Sequence, residues 1–480
     1  MSTPPLASGP EGPRALRPLL DAVLEALEAG ARARGGPLPA GGPDAVAARL
    51  REAAGEILPD LGHPHAVRTL VRAFAEGAAD PADPLCAAHL HCPPLAVATA
   101  ADLAASALNP SLDSWDQAPA ASELEAMVAA ALAREIYGPG AAHPPAPPAP
   151  TAAPGPLTPD CLVTTGGTEA NQLALLLARE AHGGTVRLVV GANAHHSLPR
   201  AAWLLGLPQP AVVPAPRGTL DPAALDETLT RLTGPLLVAA TAGTTDAGLI
   251  DPLPAIAARC AAHGTRLHID AAYGGGLLFS DRHRTLLTGL DAADTVTLDL
   301  HKLGWQPVAA GLLAVRDPRD LTALRQRADY LNAADDTEAG LPDLLGRSLR
   351  TTRRPDVLKL AVTLKTLGRR GLGALVDRVC AHARQLAALV REHPGFDLYA
   401  PPVISTVLFR PAGATDAAVA AVRRALLTDG RAVLGRARPD GRLWLKATLL
   451  NPATDPDDLA ALLHLVAARR ATLVEGHTPR

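Results

Sequence analysis

Positive charge is not in excess in this chain: 45 Lys and Arg stand against 48 Asp and Glu, a formal net charge of −3. That balance argues against a nucleic acid or an anionic membrane as partner and leaves a small soluble molecule as the default. Long apolar runs are missing too. None approaches the ~20 residues needed to cross a bilayer, and the opening Met1-Ser2-Thr3-Pro4-Pro5 has no basic segment followed by an apolar one. A cytoplasmic protein is expected. Cysteine is scarce and odd in number, with Cys86, Cys92, Cys161, Cys260 and Cys380 forming no Cys-x-x-Cys pair. This excludes a disulfide framework and suits a reducing compartment. Cys86, His89, His91 and Cys92 put four potential zinc ligands within seven residues, but structural zinc sites divide their ligands into two separated pairs, so no metal is expected. Aromatics make up only 2% of the residues, a compositional habit that leaves the chemistry open.

What the chain does have is length and alternation. Its 480 residues suggest two or three domains with ample core. Apolar residues recur at helical spacing over 16–34 and 45–57, on either side of the linker Gly35-Gly36-Pro37-Leu38-Pro39. These helices carry no catalytic groups and are read as packing elements. A helical run at 95–108 precedes the loop Asn109-Pro110-Ser111-Leu112-Asp113-Ser114-Trp115-Asp116-Gln117-Ala118-Pro119, and the Pro- and Ala-rich stretch 144–159 reads as a flexible insertion. Short apolar strands then alternate with helices: 161–165, 186–190, 211–213, 236–240, 267–270, 295–298 and 311–315. Alternation of this kind predicts an α/β domain with a mostly parallel sheet covered by helices, and ligands where strand ends meet helix starts. Helices at 357–367, 372–391 and 456–468 with strands at 403–409 and 443–449 predict a small α+β part at the C-terminus. The expected division is 1–83, 84–370 and 371–480.

Two stretches organise the chemistry. Asp299-Leu300-His301-Lys302-Leu303-Gly304-Trp305 offers a lysine amine that can condense with an aldehyde cofactor. Leu267-His268-Ile269-Asp270-Ala271-Ala272-Tyr273 offers a carboxylate that can pair with a protonated pyridine nitrogen and keep the ring an electron sink. Gly166-Gly167-Thr168 opens a helix after a strand, where backbone N–H groups and the helix dipole can hold a phosphate. His268 shares a strand face with Asp270 by the two-residue repeat and is expected to orient it.

In these motifs, in this order, the chain resembles the group II pyridoxal-phosphate-dependent decarboxylases, the relatives of aromatic amino acid, glutamate and diamino acid decarboxylases. The resemblance runs from about residue 84 to about residue 452. It implies a fold type I enzyme, pyridoxal 5′-phosphate as cofactor, an amino acid substrate and a homodimer with active sites at the interface. His89-Leu90-His91-Cys92-Pro93, Asp113-Ser114-Trp115-Asp116-Gln117 and Leu443-Trp444-Leu445-Lys446-Ala447-Thr448 resemble the diaminobutyrate and lysine branch; aromatic decarboxylases carry other residues at the positions of Asp116 and Gln117.

Carried over motif by motif, the resemblance assigns Lys302 as the cofactor-bearing lysine and Asp270 as the partner of the pyridine nitrogen. Gly167, Thr168 and His301 become phosphate contacts, Thr245 a contact to a cofactor oxygen, and Ala272 the residue packed on one ring face. In Asn193-Ala194-His195-His196-Ser197, alignment through Ser197 and Arg200 selects His195 over His196 for the other face. Tyr330, within a polar stretch continuing to Glu338, matches the mobile-loop tyrosine that protonates the substrate carbon, and with only four tyrosines in the chain the match is informative. Arg354 is the better match to a further motif than Arg353, although Pro355 stands where an aromatic is usual. A distal ammonium on the substrate needs a carboxylate or several acceptors, and Asp116 with Gln117 and His91 is expected to supply them. The substrate expected first is L-2,4-diaminobutyrate, then lysine or ornithine; aromatic decarboxylation, or an aminotransferase or desulfurase activity, are the alternatives.

Overall fold

The computed structural model describes residues 4–138 and 158–475, so most of the segment 144–159 lies outside the described residues. The chain forms two compact units, residues 94–377 and residues 1–93 together with 378–480. The N-terminal helices and the C-terminal α+β part, which the sequence suggests as separate pieces, are counted in one unit. In chain order the strands are β1 (Cys86–Ala87), β2 (Asp160–Thr164), β3 (Arg187–Gly191), β4 (Ala211–Val213), β5 (Leu236–Thr241) and β6 (Arg266–Ala271). They continue as β7 (Thr295–Asp299), β8 (Gly311–Val315), β9 (Phe396–Leu398), β10 (Thr406–Pro411), β11 (Val433–Ala437) and β12 (Trp444–Thr448).

The unit 94–377 is built on a seven-stranded sheet in the order β2-β8-β7-β6-β5-β3-β4. β4, β3, β5, β6 and β7 pair in parallel, and β8 alone runs against its neighbours β7 and β2. Every residue of β5 is buried, as a central strand covered on both faces requires. The helix Gly167–Ala181 serves two packing clusters. Leu173, Ala174 and Leu177 meet Leu162, Leu313 and Val315, while Leu175 and Ala178 meet Leu188, Val190, Leu198 and Ala201. This mostly parallel sheet with its helices is the expected α/β class. Because β2, β3, β5, β6 and β7 run the same way, the segments leaving them gather along one edge, and the reversed strand β8 starts there: Gly311 pairs with Thr164 at the end of β2 and with Asp299 at the end of β7.

The other unit holds a five-stranded sheet, β1-β11-β12-β10-β9. Its core gathers Leu386, Val390, Phe396, Val407, Phe409, Val422, Leu445 and Leu463. β1, β9 and β11 escape the pattern reading, being two or three residues long or, in β11, interrupted by Gly435 and Arg436. The helices expected at 357–367 and 372–391 are one run, Val357–Glu392, in which Gly368 at φ 61° breaks the helical geometry between them.

Candidate active site

Asp299 closes β7, and the turn after it carries His301 and Lys302. The Lys302 amine lies 2.9 Å from Asp299 Oδ2, and His301 Nε2 lies 3.4 Å from the same oxygen. The Asp299 side chain is almost wholly buried, and its Oδ1 has no hydrogen-bond partner among the described residues. This group faces the start of the helix Gly167–Ala181. A Cβ on Gly167 would come within 3.0 Å of Ala272 Cβ and 3.1 Å of Asp299 Oδ2, and one on Gly166 within 3.0 Å of His301 Cε1. From the far side, a Cβ on Gly311 would lie 2.4 Å from Gly166 Cα. Bare backbone is thus a packing requirement here. No side chain caps this helix, so its first N–H groups and positive dipole end remain available to an anion.

Asp270, at the end of β6, is buried and accepts from Asn171 Nδ2 at 2.8 Å and from the Ala272 backbone N–H at 3.1 Å. Asn171 is the centre of a buried polar set. Its Nδ2 also meets Ser197 Oγ at 2.8 Å, and its Oδ1 meets His268 Nε2 at 3.0 Å and Thr297 Oγ1 at 2.9 Å. His268 Nδ1 is 2.9 Å from Thr295 Oγ1, and His195 Nδ1 is 2.8 Å from Ser197 Oγ. The orienting role expected of His268 toward Asp270 therefore runs through an intervening amide. Burial lowers the pKa of His195, partly offset by the Asp270 carboxylate. Burial likewise lowers that of His301, with Asp299 opposing it, and pushes His268 down to about 4.

The His268 shift makes stability depend on pH. The unfolded ring binds a proton below its ordinary value of 6.5 and the buried ring only below about 4. Stability is therefore full above the upper value and is lost as pH falls between the two, by about 3 kcal/mol at most. Urea unfolding midpoints at about pH 7.5 and about pH 4.5 should differ accordingly. The difference should shrink in His268→Gln, which retains an N–H for Asn171 Oδ1.

Residues 70–412 match the family described as "Pyridoxal-dependent decarboxylase conserved domain". The chain belongs to the pyridoxal-dependent decarboxylase family. It is 40% identical to an L-2,4-diaminobutyrate decarboxylase of Rhizobium meliloti (strain 1021) over 82% of this chain and 79% of that one. It is 31% identical to an L-2,4-diaminobutyrate decarboxylase of Acinetobacter baumannii, over 85% and 84%. Among solved structures it is similar to the glutamate decarboxylase domain of diaminobutyrate-pyruvate transaminase and L-2,4-diaminobutyrate decarboxylase from Vibrio parahaemolyticus, with TM-score 0.82, 29% identity and coverage of 97% and 98%. The fold is the fold type I architecture, and the reaction is decarboxylation of an amino acid with pyridoxal phosphate.

The residues of this decarboxylase fit the cofactor. The helix start with its two glycines forms a cradle that any side chain would fill, Lys302 stands beside it, and Asp299, which a Cβ on Gly167 would meet, is shared between Lys302 and His301. Gly167, Ala272, Asp299, His301 and Lys302 are brought together here, and Asp270 and His195 are joined through the Asn171 set. Thr168 and Thr245 are exposed. Tyr330, in the short helix Asp329–Asn332, is 81% exposed. Asp116 and Gln117 are exposed on the turn before the helix Pro119–Tyr137, with Gln117 Nε2 donating to Ser114 Oγ at 2.9 Å. His91, also exposed, belongs to the other unit.

Arg354, expected to take part in substrate binding, is held by side chains of its own protomer. Its guanidinium donates to Asp102 Oδ1 at 2.7 Å, Asp356 Oδ1 at 2.8 Å, the Asp102 carbonyl at 2.9 Å and Ser106 Oγ at 3.0 Å. Arg353 is buried against Glu125. Among the described residues no group of three or more His, Cys, Asp or Glu is arranged to hold a metal ion, and no helix is long and apolar enough to cross a membrane. Sequence reasoning assigned no role to Asn171, Ser197, Asp299 or Glu125. The available signal for Asn171 was a polar residue on the buried face of its helix, among Ala170, Leu173, Ala174 and Leu175.

Proposed function

We propose that the substrate is L-2,4-diaminobutyrate and the product 1,3-diaminopropane. The observation that carries this reading is the similarity to two L-2,4-diaminobutyrate decarboxylases across more than four-fifths of the chain. When bound, the pyridoxal ring supplies the aldehyde that takes the substrate amine and the electron sink that accepts the pair left behind by CO2. Lys302 provides the amine that anchors the cofactor. Asp270, fixed by Asn171 and the Ala272 N–H, keeps a proton on the pyridine nitrogen. Gly167, Thr168 and His301 hold the phosphate, Thr245 a cofactor oxygen, and His195 and Ala272 cover the two ring faces. Arg354, engaged by Asp102 and Asp356, serves as an anchor of its segment.

The proposed assembly is a homodimer. Supporting it are exposed apolar side chains on the helices Gly12–Arg34 and Ala66–Glu76, including Leu24 at 64% and Phe74 at 70%. Tyr330, so far exposed on its own protomer, then serves the partner's site by returning a proton to the substrate carbon. Asp116, with Gln117, recognises the distal ammonium.

Purified protein with pyridoxal phosphate should release CO2 from diaminobutyrate in preference to ornithine, lysine, glutamate and aromatic amino acids, with the amine read by mass. Preference for any other member of that panel overturns the substrate. Asp116→Ala should raise KM for diaminobutyrate about thirtyfold, near 2 kcal/mol for a lost charge-assisted contact. Cofactor attachment should be unaffected, and an unchanged KM removes Asp116 from the site.

A further inference from the structure

The buried set around Asn171 has a direction that distances alone do not state. Asp270 accepts at both oxygens, from Asn171 Nδ2 and from the Ala272 N–H. The Asn171 amide must therefore turn its NH2 end toward Asp270: the flipped amide would put a carbonyl oxygen against a carboxylate oxygen at 2.8 Å. Two consequences follow, one on each side.

On the carbonyl side, Asn171 Oδ1 accepts from Thr297 Oγ1 and requires an N–H on His268 Nε2. His268 Nδ1 is then the acceptor for the Thr295 hydroxyl. On the amide side, the second Nδ2 hydrogen goes to Ser197 Oγ, which lies 2.8 Å from His195 Nδ1. The Ser197 backbone N–H points at the same ring nitrogen, at 3.3 Å. It can only donate, which makes Nδ1 an acceptor and turns the Ser197 hydroxyl hydrogen toward it. Two donors aimed at Nδ1 leave it no room for a proton of its own.

We infer that Asn171 is a positioning residue that transmits the fixed polarity of Asp270 to His195, so that His195 is neutral and carries its one proton on Nε2. The group over the cofactor is then an uncharged hydrogen-bond donor of defined direction. Burial acts in the same sense by disfavouring the charged ring. The charged groups facing His195 are Asp270, Asp299 and Lys302, and the His196 ring lies with its centroid 4.1 Å away. None of them hydrogen-bonds to Nδ1 among the described contacts, so the tautomer is set through Ser197.

This inference deepens the proposed site, and its test does not need turnover. Full-length holoenzyme labelled with nitrogen-15 in histidine reports which ring nitrogen holds the proton, with His195 assigned by loss of its signals in His195→Gln. The expected result is a single Nε2–H tautomer at neutral pH. Ser197→Ala and Asn171→Ala should give mixed tautomers and a ring that takes up its proton about tenfold more readily, while Ser197→Thr, which keeps the hydroxyl, should behave as wild type. A proton on Nδ1 in the wild type overturns the inference. So does an unchanged tautomer and titration in folded Ser197→Ala, whether or not Asn171→Ala folds. Failure of the diaminobutyrate reading alone would leave these spectra as they are.

Discussion

Lys302→Ala should lower decarboxylation by about 10⁴-fold, the upper end of what removal of one positioned reactive group costs, and should abolish borohydride fixation of the cofactor to the chain. It should also destabilise the fold. The Lys302 amine is the nearest cation to the buried Asp299 carboxylate, at 2.9 Å, with His301 farther off at 3.4 Å. Removing one partner of such a pair costs about 3 kcal/mol. Lys302→Arg separates the two effects, because a guanidinium restores positive charge beside Asp299 without a primary amine: unfolding should recover much of the loss and activity none of it. Mass analysis after borohydride and CO2 release measure the first effect, and urea unfolding the second. An alanine variant that still turns over near the wild-type rate would end the assignment of Lys302.

Glu125→Ala carries the largest expected stability effect outside the site, about 4 kcal/mol. Arg353 and Glu125 retain only 2% and 5% of their side-chain exposure, and three hydrogen bonds of 2.9 to 3.1 Å join them. Truncating the acid leaves a guanidinium buried with no carboxylate. Replacing both with methionine should recover most of the loss, since the paired charges themselves add little net stability over a well-packed apolar pair. The effect should reach substrate binding, because the Arg353 carbonyl accepts the Leu112 N–H at 2.8 Å and so tethers the loop that carries Asp116. A raised KM in Glu125→Ala, recovered in the double methionine variant, would be the signature. Equal unfolding midpoints for wild type and Glu125→Ala would contradict the account.

The large sheet was legible because its central strands are short unbroken apolar runs, with β5 and β7 buried along their whole length. The outlying strands of the smaller sheet were not: β9 spans three residues and β11 contains a glycine and an exposed arginine. In the site, Lys302 and Asp270 stand out because each lies in a contiguous motif. The Asn171 set is invisible in one dimension, because its partners Ser197, His268, Asp270 and Thr297 lie 26, 97, 99 and 126 residues away. At 353 and 354 the sequence favours Arg354 by its motif but does not show that each arginine has its own acid, Glu125 for Arg353 and Asp102 for Arg354.

The contact between Gly166 and Gly311 bears on how such an enzyme can change. Where two main chains touch with nothing between them, there is no dial to turn: even a methyl group at position 311 would collide with the opposite chain. The exposed turn bearing Asp116 and the short helix bearing Tyr330 have slack by comparison, since side chains there point into open space rather than against another stretch of backbone.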